Sequence, residues 1–439
     1  LPSHGIKKDP SSKQGLVGGL GVISDEILSR ISGRVSIYGI GARHLRGEDL
    51  PTYEEIDGYR VVRPLYRLGV EETLKRCRAI FSHAGMDFLA DHEREIPMIP
   101  FLSDYALAIP HVTFGQDPDL LCGHDWISLL GTLEKSFMRD IPFAAFLHSL
   151  EPGRQGGVIH TREGPRETDQ GYYAGSRTIR DIEALALKRS RACFTVGTTM
   201  VEELLAFGRA HGINPEEVKE KVFPIHHGVD TKTYRPMKTE KEYDIILIAR
   251  FARVKGVFEF LQAVKILEKR RPGLKVRIIG GGELEGQVRD TIKSEGLEDT
   301  ISLSTDWLQP AEKAGEINRS RVAVAPSKYE PHGMVDLEVG ACGVACVVGT
   351  GGFSERIIDG ETGVLCDPFN PSDMAEKLWG LLKDEERAEE IGRNARTFIV
   401  GHYDWDLRAQ IYPEIFEAAV EGDFKTLREL PLTVPLERN

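Results

Sequence analysis

The residues best suited to chemistry lie in the stretch Ser327-Lys328-Tyr329-Glu330-Pro331-His332-Gly333-Met334-Val335-Asp336-Leu337-Glu338. Two carboxylates, Glu330 and Glu338, stand eight positions apart. The apolar run Val322-Ala323-Val324-Ala325-Pro326 before them predicts a buried parallel strand, and helical spacing follows. Glu330 then sits on a strand-to-helix turn and Glu338 in the first turns of the helix. Gly333, Met334 and Val335 form the helix start between them. Such a start exposes unpaired N–H groups at the positive pole of the helix dipole. A phosphate is stabilised there without any side chain. The two carboxylates can accept hydrogen bonds from hydroxyls on either side, which suits a sugar nucleotide.

Other candidates fall at the same kind of position. Arg250 and Lys255 share one loop after the apolar strand at 244–249. Two cations there would neutralise a diphosphate leaving group, although basic residues after a strand are also ordinary surface charges. Gly280-Gly281-Gly282 follows the strand at 276–279, and Gly351-Gly352 follows the strand at 345–348. Near the start, Gly18 and Gly19 precede the apolar-periodic helix 22–31. Adjacent glycines let backbone approach an anion, or make a plain flexible turn. His124 and His148 end apolar runs, and in open parallel sheets ligands gather at the carboxyl ends of strands. His124 with Asp125 and Trp126 is either a ligand contact or a loop cap with a packing anchor. Residues 151–180 are a polar insertion carrying Glu151, Arg154, Arg162, Arg166, Arg177 and Arg180. Long aperiodic loops are functional or disordered, and arginine suits phosphate or carboxylate. Interleaved acids leave a solvated mixed-charge loop open as well. The sharper expectation is that Arg154 and Arg177 hold an anionic acceptor.

The elements that must position these groups alternate strand and helix, which predicts doubly wound parallel sheets. A length of 439 residues suits two domains. We place the first at 1–236, the second at 237–400, and a final helix plus tail at 401–439. Residues 234–241 serve as linker, and 423–439 are expected to be loosely held. The chain opens like the loop after a strand, so a first strand is expected to be missing. A net charge of −12 argues against nucleic acid as partner. No apolar run reaches the roughly 18 residues of a membrane helix. The six cysteines sit mostly in apolar runs without a C-x-x-C pair, as small buried hydrophobes of a reducing compartment. No Cys/His cluster has zinc spacing, and Asp117-Pro118-Asp119 reads as a turn.

The signature EPHGMVDLE is similar to the EPFG-type motif of retaining glycosyltransferases with the GT-B fold. From Gly18 to about Trp405 the chain resembles glycosyltransferase family 4 and the glycogen and starch synthases. His124-Asp125-Trp126, His148-Ser149, the run Gly228-Val229-Asp230 (with His227 where the family has Asn) and Tyr403-x-Trp405 carry the same likeness. The resemblance implies an α/β GT-B fold of two Rossmann-like domains whose parallel sheets face an interdomain cleft. It implies retaining hexosyl transfer from an ADP-, UDP- or GDP-linked sugar, with no metal or cofactor. The catalytic group would be His148, Glu330, Arg250 and Lys255. Donor binding would use Gly18, Gly19, Gly281 (near the base), Gly333, Met334, Val335, Glu338 (at the ribose), Gly351 and Gly352. The acceptor side would use His124, Asp125, Glu151 and Arg154. A cytoplasmic protein is implied, and a homo-oligomer is compatible.

The first-domain motifs lean towards glucose from ADP or UDP. Leu16 stands where glycogen and starch synthases carry a lysine, which removes a cation from the donor diphosphate. That departure and the arginine-bearing loop lean towards a small, anionic acceptor. A phosphorylase would need a pyridoxal-phosphate lysine, for which there is no motif. A sugar-nucleotide epimerase and a non-catalytic sugar-nucleotide or carbohydrate-binding protein remain as alternatives. Intact Glu330, Arg250 and Lys255 argue against the second.

Overall fold

Apolar runs that are buried on both faces form the central strands of two α/β units. The computed structural model describes residues 26–40, 44–45, 48–49, 53–56, 59–62, 70–83, 106–113, 115–352 and 355–436. The first unit comprises Leu1–Gly157, Asp169–Ile225 and Ala409–Thr433; the second comprises Val158–Thr168, His226–Arg408 and Val434–Asn439. The boundary expected at 236/237 therefore falls inside the second unit. Tyr234, taken as linker, is buried there, because it belongs to the packed core that includes Leu337 and Cys342.

The second unit holds a six-stranded parallel sheet. Its spatial order is Ile301–Ser304, Val276–Ile279, Tyr243–Ile248, Ser320–Ala325, Ala345–Gly349, Val364–Cys366. Numbered along the chain within the unit this is 3-2-1-4-5-6, the doubly wound dinucleotide-binding order. Register is set by pairs such as Ile246↔Arg277 and Leu247↔Val324. Alternation along Tyr243–Ile248 splits the core. Ile245 and Leu247 face Phe260 and Val264, while Ile246 packs with Ile317 and Leu337 on the other side. Burial on both faces is why these strands carry few polar residues. The last strand, three residues long, escaped the sequence reading for want of length.

The first unit carries a four-stranded parallel sheet of Leu121–His124, Phe143–Leu147, Ala192–Thr195 and Val222–Pro224, adjacent in chain order. Asp125–Arg139 and Arg177–Arg189 are among its helices. Tyr38–Ile40, Tyr59–Val62 and Tyr53–Ile56 form a separate three-stranded sheet.

The stretch 151–180 is not the irregular insertion its composition suggested. It folds into a short helix Glu151–Arg154, a hairpin of Val158–Thr161 with Gly164–Glu167, and the start of the helix at Arg177. Over its described residues, 423–436, the tail is not loosely held either. Phe424–Glu429 is helical, and Leu427 and Leu432 are buried by it and its neighbours. All six cysteines are free thiols, and five of them are buried. Burial pushes Cys77, Cys122, Cys193, Cys342 and Cys366 up to about 12, so they stay neutral and behave as small hydrophobes. Among the described residues no helix is long and apolar enough to cross a membrane.

Candidate active site

The carboxyl ends of the second unit's central strands hold the donor-side candidates. Three loops meet there backbone to backbone. Lys328 N–H donates to Val254 O at 2.8 Å, which joins the Arg250–Gly256 loop to the signature. A Cβ on Gly256 would stand 2.1 Å from Pro326 O, and Gly256 has φ +67°. Gly352, at φ +112°, would place a Cβ 1.7 Å from Glu330 O. Only glycine fits either place. Gly351 is equally tight: its Cβ would lie 2.4 Å from Ser327 O. Both glycines were expected to face the donor. In the structure their first task is to let this loop lie flat on Ser327–Glu330.

Glu330 is held from three sides. Lys255 Nζ donates to Oε2, Ser327 Oγ donates to the same oxygen at 3.1 Å, and Gly333 N–H donates to Oε1 at 3.2 Å. The Lys255 and Glu330 side chains remain 21% and 14% exposed, so the pair is open to a ligand. Arg250 is exposed, and its side chain makes no hydrogen bond or ion pair among the described residues. Gly281 and Gly282 flank it, with a Cβ on Gly282 only 3.2 Å from the Arg250 side chain. Gly281 O accepts from Phe251 N–H at 2.8 Å.

Two expectations change here. The helix after the signature runs only from Val335 to Ala341, seven residues. Its entrance is also partly filled, because the Gly333 N–H is bonded to the Glu330 carboxylate rather than left for a phosphate. The N–H groups of Met334 and Val335 have no acceptor among the described residues. Glu338 is already engaged by a protein cation: Lys313 Nζ donates to both its oxygens, at 2.8 and 3.0 Å, which leaves one lone pair on each, and the Glu338 side chain is 7% exposed.

The turn is locked by Arg356, which sequence reading missed. Its guanidinium donates to His332 O and Gly333 O, each at 3.0 Å, and to both Asp336 oxygens at 2.8 Å. Nη1 also lies 2.8 Å from His332 Nδ1. Guanidinium cannot accept, so that nitrogen carries the lone pair. Burial pushes the Asp336 carboxyl up against the opposing pull of Arg356. A buried ion pair just past the glycine loop is a packing feature, and no spacing in the chain announces it.

The first unit gathers its own candidates at strand ends. His124 stacks on Phe146 at 4.6 Å between ring centroids, and its Nδ1 lies 3.0 Å from His148 Nε2. That contact needs one N–H and one lone pair, so the two rings cannot both be charged. Burial holds His148 below the ordinary histidine range. Asp125 opens its helix at φ +47°, a conformation costly for a non-glycine residue, and its Oδ1 accepts the His148 N–H at 2.8 Å.

Glu151 and Arg154 are spent internally. Arg154 donates to Glu151 Oε2 at 3.0 Å, to Ser149 O at 3.0 Å and to buried Glu183 at 2.5 Å. Glu183 accepts the Glu151 N–H, and Glu151 accepts the Ser176 N–H at 3.1 Å. Burial pushes Glu183 up to about 7 although Arg154 pulls the other way. Arg154 therefore anchors a loop and is not an open anion ligand. Arg177 stands partly exposed, 3.9 Å from Asp181. Gly18 and Gly19 lie outside the described residues. Among the described residues no group of three or more His, Cys, Asp or Glu could hold a metal ion.

An α/β protein with a 3-2-1-4-5-6 unit and a second parallel unit has the GT-B architecture. Residues 231–398 match the family described as glycosyl transferases group 1. The chain is 26% identical over 325 residues to a glycogen synthase of Mycobacterium tuberculosis, covering 72% of each chain. It is 29% identical over 313 residues to a D-inositol 3-phosphate glycosyltransferase of Paenarthrobacter aurescens, covering 69% of this chain and 74% of that one. Its fold is similar to sucrose-phosphate synthase of Thermosynechococcus elongatus, with TM-score 0.66 at 19% identity over 93% and 97% of the two chains. It is also similar to Anabaena HepE, solved with UDP-glucose, with TM-score 0.64 at 15% identity over 93% and 98%. These likenesses together support a GT-B glycosyltransferase of the glycogen-synthase-like type.

Proposed function

We propose that this glycosyltransferase moves a hexose, glucose by preference, from a nucleoside-diphosphate sugar to a carbohydrate or small anionic acceptor, with retention at the anomeric carbon. The observation that carries the donor reading is the loop cluster of the second unit. The Arg250 side chain is exposed and unpaired among the described residues, and Lys255, on the same loop, makes a partly open ion pair with Glu330. Two cations at one strand-end cluster can take the charge of a leaving diphosphate without a metal. We assign Arg250 and Lys255 to the diphosphate and Glu330 to hydroxyls of the sugar. Met334 and Val335 keep N–H groups for phosphate, and Glu338 serves the ribose while Lys313 fixes its charge. His148 is assigned to the transferred sugar and His124 with Asp125 to the acceptor side. Retention and family 4 membership rest on the likeness of the EPHGMVDLE signature. HepE supports a UDP-linked glucose donor by the ligand in its crystals. The inositol-phosphate relative supports a phosphorylated acceptor by its name.

Release of nucleoside diphosphate from UDP-, ADP- and GDP-glucose tests the proposal. The assay is run alone and with glucose 1-phosphate, inositol phosphate or malto-oligosaccharide. Acceptor-stimulated release with one donor is expected. Conversion of the donor with no acceptor dependence would favour the epimerase reading, and binding without turnover the non-catalytic one.

A further inference from the structure

We propose that the hairpin Val158–Thr161/Gly164–Glu167 is a clamp on the signature loop, and that His160 is a positioning residue for Glu330. The proposal rests on the donor reading of the Lys255–Glu330 cluster. In sequence this arm interrupts the first unit, yet it belongs to the second. Its strands pair antiparallel from Val158↔Glu167 to Thr161↔Gly164, leaving Arg162 and Glu163 at the tip. Val158, Ile159 and His160 are buried, while Arg162, Glu163, Arg166 and Glu167 are exposed. A lone hairpin is marginal in water, so its order comes from what it rests on.

It rests on the carboxyl ends of two central strands. His160 N–H donates to Lys328 O at 3.1 Å. The His160 ring, 1% exposed, lies 4.5 Å from the Tyr329 ring at a tilt of 50°. A Cβ on Gly352 would come within 3.0 Å of His160 Nδ1, so the arm also limits the glycine loop. Arg162 and Asp359 meet at 3.5 Å at the tip, an exposed pair worth little.

These contacts converge on the residues just before Glu330. Tyr329 is buried in a cluster with Ala252 and Val254, which belong to the loop that carries Lys255. His160 adds its ring to Tyr329 from the hairpin. Removing the imidazole leaves space beside Tyr329, and the Glu330 carboxylate can then leave the geometry set by Lys255, Ser327 and Gly333. A misplaced reacting-centre ligand lowers turnover far more than it lowers binding of remote parts of the substrate. The sugar should therefore feel the loss and the nucleotide should not.

Steady-state kinetics of the full chain with UDP-, ADP- and GDP-glucose, with the matching diphosphates as inhibitors, test this. His160→Ala is expected to lower donor kcat/KM by about tenfold or more, while the diphosphate Ki stays within about twofold of wild type. His160→Phe, which refills the space beside Tyr329, is expected to recover most of the loss with a wild-type pH profile. Unchanged kcat/KM in His160→Ala overturns the proposal, and so does an equal loss in the Ala and Phe variants. A parallel loss of diphosphate Ki and Tm in His160→Ala also overturns it, since that marks general unfolding of the unit. A wild-type chain that neither binds a diphosphate nor turns over a donor overturns the donor reading itself, which is a separate result.

Discussion

Arg154 in the first unit and Arg250 in the second both lie just past the carboxyl end of a parallel strand, yet the chain uses them in opposite ways. Arg154 is surrounded by acceptors from its own unit, including the fully buried Glu183. Arg250 is exposed and meets no acceptor among the described residues. Lys255 stands between these extremes, paired with Glu330 but still open. A cation whose partner is protein holds the fold, and on the proposed donor reading the unpartnered one is left for a ligand. Removing charge should therefore cost activity in one unit and stability in the other.

The largest expected effect is at the open pair. Glu330→Ala should lower kcat by about a thousandfold, the size seen when a preorganised polar group at a reacting centre is lost. Its Tm should remain near wild type, because Glu330 is tied to one salt bridge and two hydrogen bonds at a partly exposed site. Nucleotide release and thermal unfolding of one preparation check both. Residual activity within tenfold of wild type would remove Glu330 from the reacting centre.

The two arginines then separate cleanly. Arg154→Met strands Glu183 in an apolar place, and breaking a buried pair from one side costs about 3–5 kcal/mol. Urea unfolding should show that loss, while the KM of any acceptor changes only as far as the fold does. Arg250→Ala should leave the unfolding midpoint unchanged and raise donor KM by about tenfold, the worth of one charge-assisted contact. If Arg154→Met instead raised acceptor KM at full stability, the anchoring role would be wrong and the sequence-based expectation right.

That contrast marks how much was legible in the sequence. The second unit could be read nearly strand by strand, because a parallel strand buried on both faces leaves an unbroken apolar run. Val276–Ile279 falls where its run ends, and Ala345–Gly349 differs by one residue. The signature and its two cations were visible as residue types at strand ends. What could not be read was which polar groups already had partners. Glu338 with Lys313, Arg154 with Glu183 and Arg356 with Asp336 join residues 25, 29 and 20 positions apart, and no local pattern encodes such pairs. The hairpin was readable in principle. Val158-Ile159-His160-Thr161 followed by a polar pair and Gly164 is a hairpin pattern, but the surrounding charge masked it.

The smallest effect tests the closed cluster by its protons. Burial raises Glu183 from the ordinary carboxyl range to about 7, so the folded chain holds a proton there that the unfolded chain has already lost. Between about pH 4.5 and pH 7 the folded state then binds more protons than the unfolded state, and stability must fall as pH rises through that window. Above about pH 7 both states are ionised and the cost is constant. Glu183→Gln cannot ionise, so its Tm minus that of wild type should climb across this window by about a few degrees and then level off. The difference isolates this group from His148, whose lowered pKa acts with the opposite sign: it weakens the fold as pH falls below the ordinary histidine range, equally in both chains. A difference in Tm that is flat with pH would mean Glu183 keeps an ordinary pKa and Arg154 fully compensates its burial. In that case the closed cluster of the first unit is a plain salt bridge, and its contrast with the open pair lies in exposure alone.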